Sequence, residues 1–235
     1  MSSNPTAGRH MTATIAALIA VASATVVLAV SGAHEGHAET GHSHGDAAAV
    51  SSAMTADQAR FQDRMRTLWE DHVTWTRLAI VSFAHDLPDL PATQARLLRN
   101  QVDIGNAIKP YYGRAGGKQL TALLKEHIVG AVALLAAAKA GDQNLVEQRA
   151  REWYANGDEV ADFLHKANPR NWSQKAMRRM MKGHLAQTLS EAQNRLGHRY
   201  TADIRDYDRI HRHILMMSDA LSDGIVAQFP GRFTR

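Results

Sequence analysis

Imidazole is the reactive group this chain supplies in quantity, with 13 histidines in 235 residues. His72, His127, His184 and the His211/His213 pair each fall near the middle of a segment with helical apolar periodicity, on or beside its apolar stripe. Imidazole is the commonest side-chain metal ligand. Helical bundles build metal sites from inward-facing side chains on facing helices. In an up-and-down bundle of similar helices the midpoints share one depth, so these rings are expected to meet. Three or four imidazoles at one level form a nitrogen-rich site for a transition metal ion, with copper or zinc expected ahead of nickel or iron.

Polar neighbours could orient such rings. Glu126, Asn156 and Asp208, with Asp71, are candidates to accept the N–H of a metal-bound imidazole. Asp208 to His211 and Asp162 to His165 repeat a three-residue spacing, but no stripe carries the mid-helix Glu that a carboxylate di-iron site needs. Met177, Met180 and Met181 precede His184, and Met216 and Met217 follow His213. Thioether beside imidazole suits copper(I), although methionine at helical spacing is also ordinary core filler. The same histidines could instead form a structural network with Asn156, Tyr207, Asp208 and Thr188, since buried polar groups must be paired.

The elements that must position these residues are helices throughout. Apolar spacing and breakers predict them over about 56–85, 92–108, 118–139, 143–167, 174–196 and 201–229. Pro88 and Pro91, then Pro110 with Gly113, Gly116 and Gly117, then Gly141, Pro169, Gly197 and Pro230 punctuate them. Stripes run through Phe61, Met65, Leu68, His72, Trp75 and Ala79 on the first helix and Val146, Ala150, Trp153, Gly157, Val160 and Leu164 on the fourth. No segment alternates with period two. The expected fold is all-α, an antiparallel four-helix-type bundle with one or two extra helices, over 55–235.

Upstream of it, Arg9 and His10 precede an apolar run from Thr14 to Val30, and Ser31-Gly32-Ala33 offers a small-residue cleavage site. Residues 1–33 read as a signal peptide or an N-terminal membrane anchor, and the domain is expected outside the cytoplasm. Residues 34–54 read as a disordered His-rich linker whose His34, His37, His42 and His44 could chelate metal.

There is no cysteine, which excludes disulfides, zinc–thiolate sites and iron–sulfur clusters. A net charge of +4 is too small to argue for nucleic acid. The basic face of the fifth helix, Lys175, Arg178, Arg179 and Lys182, is expected to be solvated. No phosphate loop, Gly-x-Ser-x-Gly or His-Glu-x-x-His is present. The sequence reading is therefore a metal-binding protein for sequestration or delivery. The alternatives are a non-catalytic cell-envelope module with structural histidines, and a metal- or haem-dependent enzyme of unnamed substrate.

The segments Leu68-Trp69-Glu70-Asp71-His72-Val73-Thr74-Trp75-Thr76-Arg77, Pro110-Tyr111-Tyr112-Gly113, Leu123-Leu124-Lys125-Glu126-His127, Trp153-Tyr154-x-Asn156, His184-Leu185 and Gln228-Phe229-Pro230 carry a resemblance over roughly residues 60–231. The domain resembles an uncharacterised bacterial family of helical proteins, sometimes labelled "acetylglutamate kinase". The resemblance implies a helical fold and no activity. The kinase label does not suit a chain without strands or a nucleotide loop.

Overall fold

Residues 54–235 are described by the structure, a computed structural model. The expected leader, 1–33, and the linker histidines His34, His37, His42 and His44 lie outside the described residues.

Among the described residues the only regular elements are helices: α1 (Ala56–Ala84), α2 (Leu90–Ala140), α3 (Gln143–Ala167), α4 (Gln174–Leu196), α5 (Tyr200–Gln228) and a closing 3-10 turn, Pro230–Arg232. Side chains set most of the starts. Thr55 and Gln58 form a reciprocal capping box on α1, while Asp142 and Ser173 cap α3 and α4. The α1 start also receives the chain's end. Thr55 Oγ1 donates to the Phe233 carbonyl at 3.1 Å, and the Asp57 N–H donates to the Arg235 carbonyl at 2.6 Å.

The run labelled α2 is two helices joined by a reversal. Gly113 has φ 73 and ψ 176, a conformation that a Cβ would strain. Thr121 Oγ1 reaches the Gln101 carbonyl at 3.4 Å. Twenty residues of straight helix would hold those atoms about 30 Å apart. The arms 90–112 and 114–140 therefore fold back on one another, as the two separate helices read from the sequence require. Gly105 and Gly117 make the close approach possible, since a Cβ on either would sit 2.5 Å from the other's carbonyl oxygen.

Contacts fix the order around the bundle: α1 packs on α2 and α5, α3 on α2 and α4, and α4 on α5. Residue pairs such as Asp162 with Arg178 and Arg66 with Asp219 run in opposite senses along their helices, so those neighbours are antiparallel. The core is one apolar cluster running from Phe61 and Tyr111 at one end to Leu134 and Ala138 at the other. The α3 stripe is buried as expected, and so are Met177, Met181, His184 and Thr188 on α4.

Two stripes differ from expectation by a small rotation. On α1 the buried residue is Trp69, with Leu68 only partly covered. Trp75 is half-buried beneath the Arg96 guanidinium, 5.0 Å from its ring. On α5 the buried face includes Asp203, Asp206, Ile210, Ile214, Met217 and Leu221. This turns Ile204 and His211 outward, with Ile204 exposed.

A buried layer of imidazoles

The bundle brings four histidines to one depth, with His184 of α4 at the centre. Its ring centre lies 5.8 Å from that of His72 on α1, 6.2 Å from His127 on the second arm of α2 and 6.3 Å from His213 on α5. His72, His127 and His184 are buried and His213 is half-buried. Trp153 of α3 closes the layer, stacked on His127 at 5.2 Å, and its indole N–H donates to the His127 carbonyl. Gly130 leaves room for that indole, and Gly183 lets the His213 ring lie against α4.

Hydrogen bonds orient three of the four rings. Asn156 donates through Nδ2 to the Leu123 carbonyl, so its Oδ1 faces His127 and accepts from Nδ1–H at 2.9 Å. That leaves the lone pair of His127 on Nε2. His213 donates Nε2–H to the Met180 carbonyl at 3.1 Å, which leaves its lone pair on Nδ1. Nδ1 of His72 lies 3.2 Å from Nε2 of Gln101, a side chain buried on the first arm of α2. Gln101 is held in turn by the Leu97 carbonyl and by Asn100. His184 has no such support. Its Nδ1 is buried without a hydrogen-bond partner. A buried polar atom left unpaired costs about 1–3 kcal/mol.

Burial sets the charge state. Desolvation lowers His72 to about 4, and the neighbouring His127 acts the same way. Desolvation also lowers His127 to about 4, against the opposing bond from Asn156. His184 is held well below the ordinary value by burial first and then by the three surrounding imidazoles. At neutral pH these rings are uncharged, the state in which imidazole ligates metal.

The spacing is slightly open for coordination. Two imidazoles on one tetrahedral ion, each nitrogen about 2 Å from it, have ring centres about 5 Å apart. The observed separations from His184 exceed that by roughly 1 Å. Consistently, no three His, Asp or Glu side chains among the described residues already converge on one ligating point.

Other expected residues lie elsewhere. His211 points away from the layer and places Nε2 3.1 Å from Glu70 Oε1 on the α1–α5 surface. It lies two positions before His213, which on a helix turns the side chains about 200° apart, so the pair cannot both face inward. Glu126 and Asp208 are exposed. Asp71 pairs with Arg96 at 2.7 Å. Asp162 pairs with Arg178, while His165 donates Nδ1–H to the Trp172 carbonyl. Of the expected orienting residues, Asn156 alone holds a ring of the layer.

Two polar features were missed from sequence. Gln101 occupies a stripe position, four residues after Leu97 and three before Ile104, which is the same signal that picked out the histidines. The second is an ion network one helical turn and more beyond the imidazoles. Arg77 pairs with both Glu191 and Asp203, and Arg195 adds a contact to Asp203 at 3.3 Å. Glu191 is 1% exposed and Asp203 0%. Burial raises the Glu191 carboxyl to about 7 despite Arg77.

No protein-family description, curated protein or solved structure matches this chain.

Proposed function

We propose that this protein is an extracytoplasmic helical bundle that binds a transition metal ion, copper or zinc, through His72, His127 and His184, with His213 at the solvent edge, for sequestration or delivery. The observation that carries this reading is His184, a buried imidazole with an unpaired nitrogen surrounded by three other imidazoles. An ion bound there would give that nitrogen its partner once the neighbouring rings each approach His184 by roughly 1 Å. The uncharged state of the buried rings removes proton competition at neutral pH. The lone pair fixed on His127 Nε2 by Asn156 is the orienting arrangement metal-bound histidines use. The apolar run at 14–30 supports the extracytoplasmic placement.

The test uses the full chain with His34, His37, His42 and His44 replaced by Ala, so that the linker cannot contribute. Elemental analysis after purification without added metal should find copper or zinc near one per chain. Adding metal to a stripped sample at about 100 times the dissociation constant stabilises the fold by about 2.7 kcal/mol. For a domain of this size that raises Tm by roughly 5–10 °C. No retained metal and an unmoved Tm would leave the histidines as a structural network, the reading favoured by the Asn156 and Gln101 bonds.

A further inference from the structure

A second cluster of ligating side chains stands at the far end of the bundle, about 20 Å along α1 from the imidazole layer. His85 follows the last residue of α1, His198 lies in the α4–α5 turn and Tyr200 opens α5. The three rings are mutual neighbours: His85 to His198 at 6.0 Å, His85 to Tyr200 at 6.1 Å and His198 to Tyr200 at 5.9 Å. His198 Nδ1 and the Tyr200 hydroxyl are 2.8 Å apart. His85 Nε2 is buried and has no partner.

The backbone around them is unusual. Asp86 and His198 are the two non-glycine residues with positive φ among those described, at 53 and 57. Each sits in a turn that aims one of these rings. Strained residues of this kind persist where the surrounding structure enforces them, and they cluster at functional sites. The nearby cations are already engaged. Lys139 bonds the Phe83 carbonyl and Asp86, Arg195 contacts Asp203, and Arg199 donates to Asn194.

We infer that His85, His198 and Tyr200 form a second metal site, of two imidazole nitrogens and one phenolate oxygen, suited to copper(II). That ligand set and an exposed, adaptable turn match the nitrogen–oxygen preference of the ion. On binding, the Tyr200 hydroxyl loses its proton to solvent and its hydrogen bond to His198 is replaced by the shared metal. The site is independent of the core layer, so either can fail alone.

The experiment titrates copper(II) into the full chain carrying the four linker His→Ala replacements. A phenolate-to-copper charge-transfer band is expected. Tyr200→Phe should abolish it, and His85→Asn or His198→Asn should weaken its appearance at least tenfold. No band, or a band that survives Tyr200→Phe, overturns the proposal. Should a variant fail to fold, the protein with these three residues intact gives the answer. Saturating copper(II) should protect His85 and His198 from carbethoxylation read by peptide mass, and unchanged labelling of both overturns the site.

Discussion

Lowering the pH from 7 to 5 will destabilise the metal-free fold through its buried imidazoles. His72 and His127 have folded-state values of about 4 against 6.5. A histidine depressed in this way supports the fold fully above its unfolded value, and that support is lost as pH falls through 6.5 toward 4, because the unfolded chain takes up the proton first. Each of the two contributes a loss of about 2 kcal/mol over this interval. His184, shifted in the same direction, adds to it. Glu191 opposes them. Its folded-state value is raised to about 7 from 4.5, so its contribution is complete below 4.5 and is lost as pH rises through 7. Going down to pH 5 it recovers about 2 kcal/mol. The exposed carboxylates held low by arginine, such as Asp162 at about 2, titrate below this window. The net loss from His72, His127 and Glu191 is therefore about 2 kcal/mol, rising to about 4 kcal/mol in Glu191→Gln, before His184 is added. Urea denaturation at both pH values in the presence of chelator measures it, for the parent and for Glu191→Gln. Equal or greater stability of Glu191→Gln at pH 5 would refute the claim that the imidazoles are buried and uncharged.

Other perturbations have definite outcomes. Arg77→Ala leaves Glu191 and Asp203 buried without their cation and should cost about 3–5 kcal/mol in chemical denaturation. Combining it with Glu191→Gln should recover part of that loss. Gly105→Ala places a Cβ 2.5 Å from the Gly117 carbonyl and should cost about 2–3 kcal/mol by forcing the two arms of α2 apart. Gly224→Ala meets the Trp172 indole at 2.6 Å at its Cε2 atom and should cost a similar amount, with altered tryptophan fluorescence as a second readout. Asn156→Leu frees the His127 ring and should lower metal affinity about 10–100-fold, measured by competition with a chelator.

The helices were legible because apolar spacing and breakers agree. Each of the six expected segments is present, with the second and third separated by the reversal at Gly113. The depth of His72, His127 and His184 was legible for the same reason, since helices of similar length packed antiparallel align their midpoints. The choice between His211 and His213 was not. The α5 stripe is anchored by Asp203 and Asp206, which a hydropathy reading rejects, so the expected face was rotated toward Ile204 and His211. Those aspartates are buried because Arg77 on α1 and Arg195, Ser190 and Asn194 on α4 come to meet them, and pairing across helices leaves no periodic mark in one segment. Gln101 was missed although its spacing marked it, because glutamine on a stripe is easily read as an edge residue.

The central claim is that the imidazole layer holds a metal ion. Anomalous scattering from crystals of the zinc- or copper-loaded protein, collected at that metal's absorption edge, tests it most directly. A bound ion should give a peak among the rings of His72, His127 and His184, about 2 Å from His127 Nε2 and from a His184 ring nitrogen. A layer without a peak in a metal-saturated crystal, with His184 Nδ1 still unpaired, would contradict it.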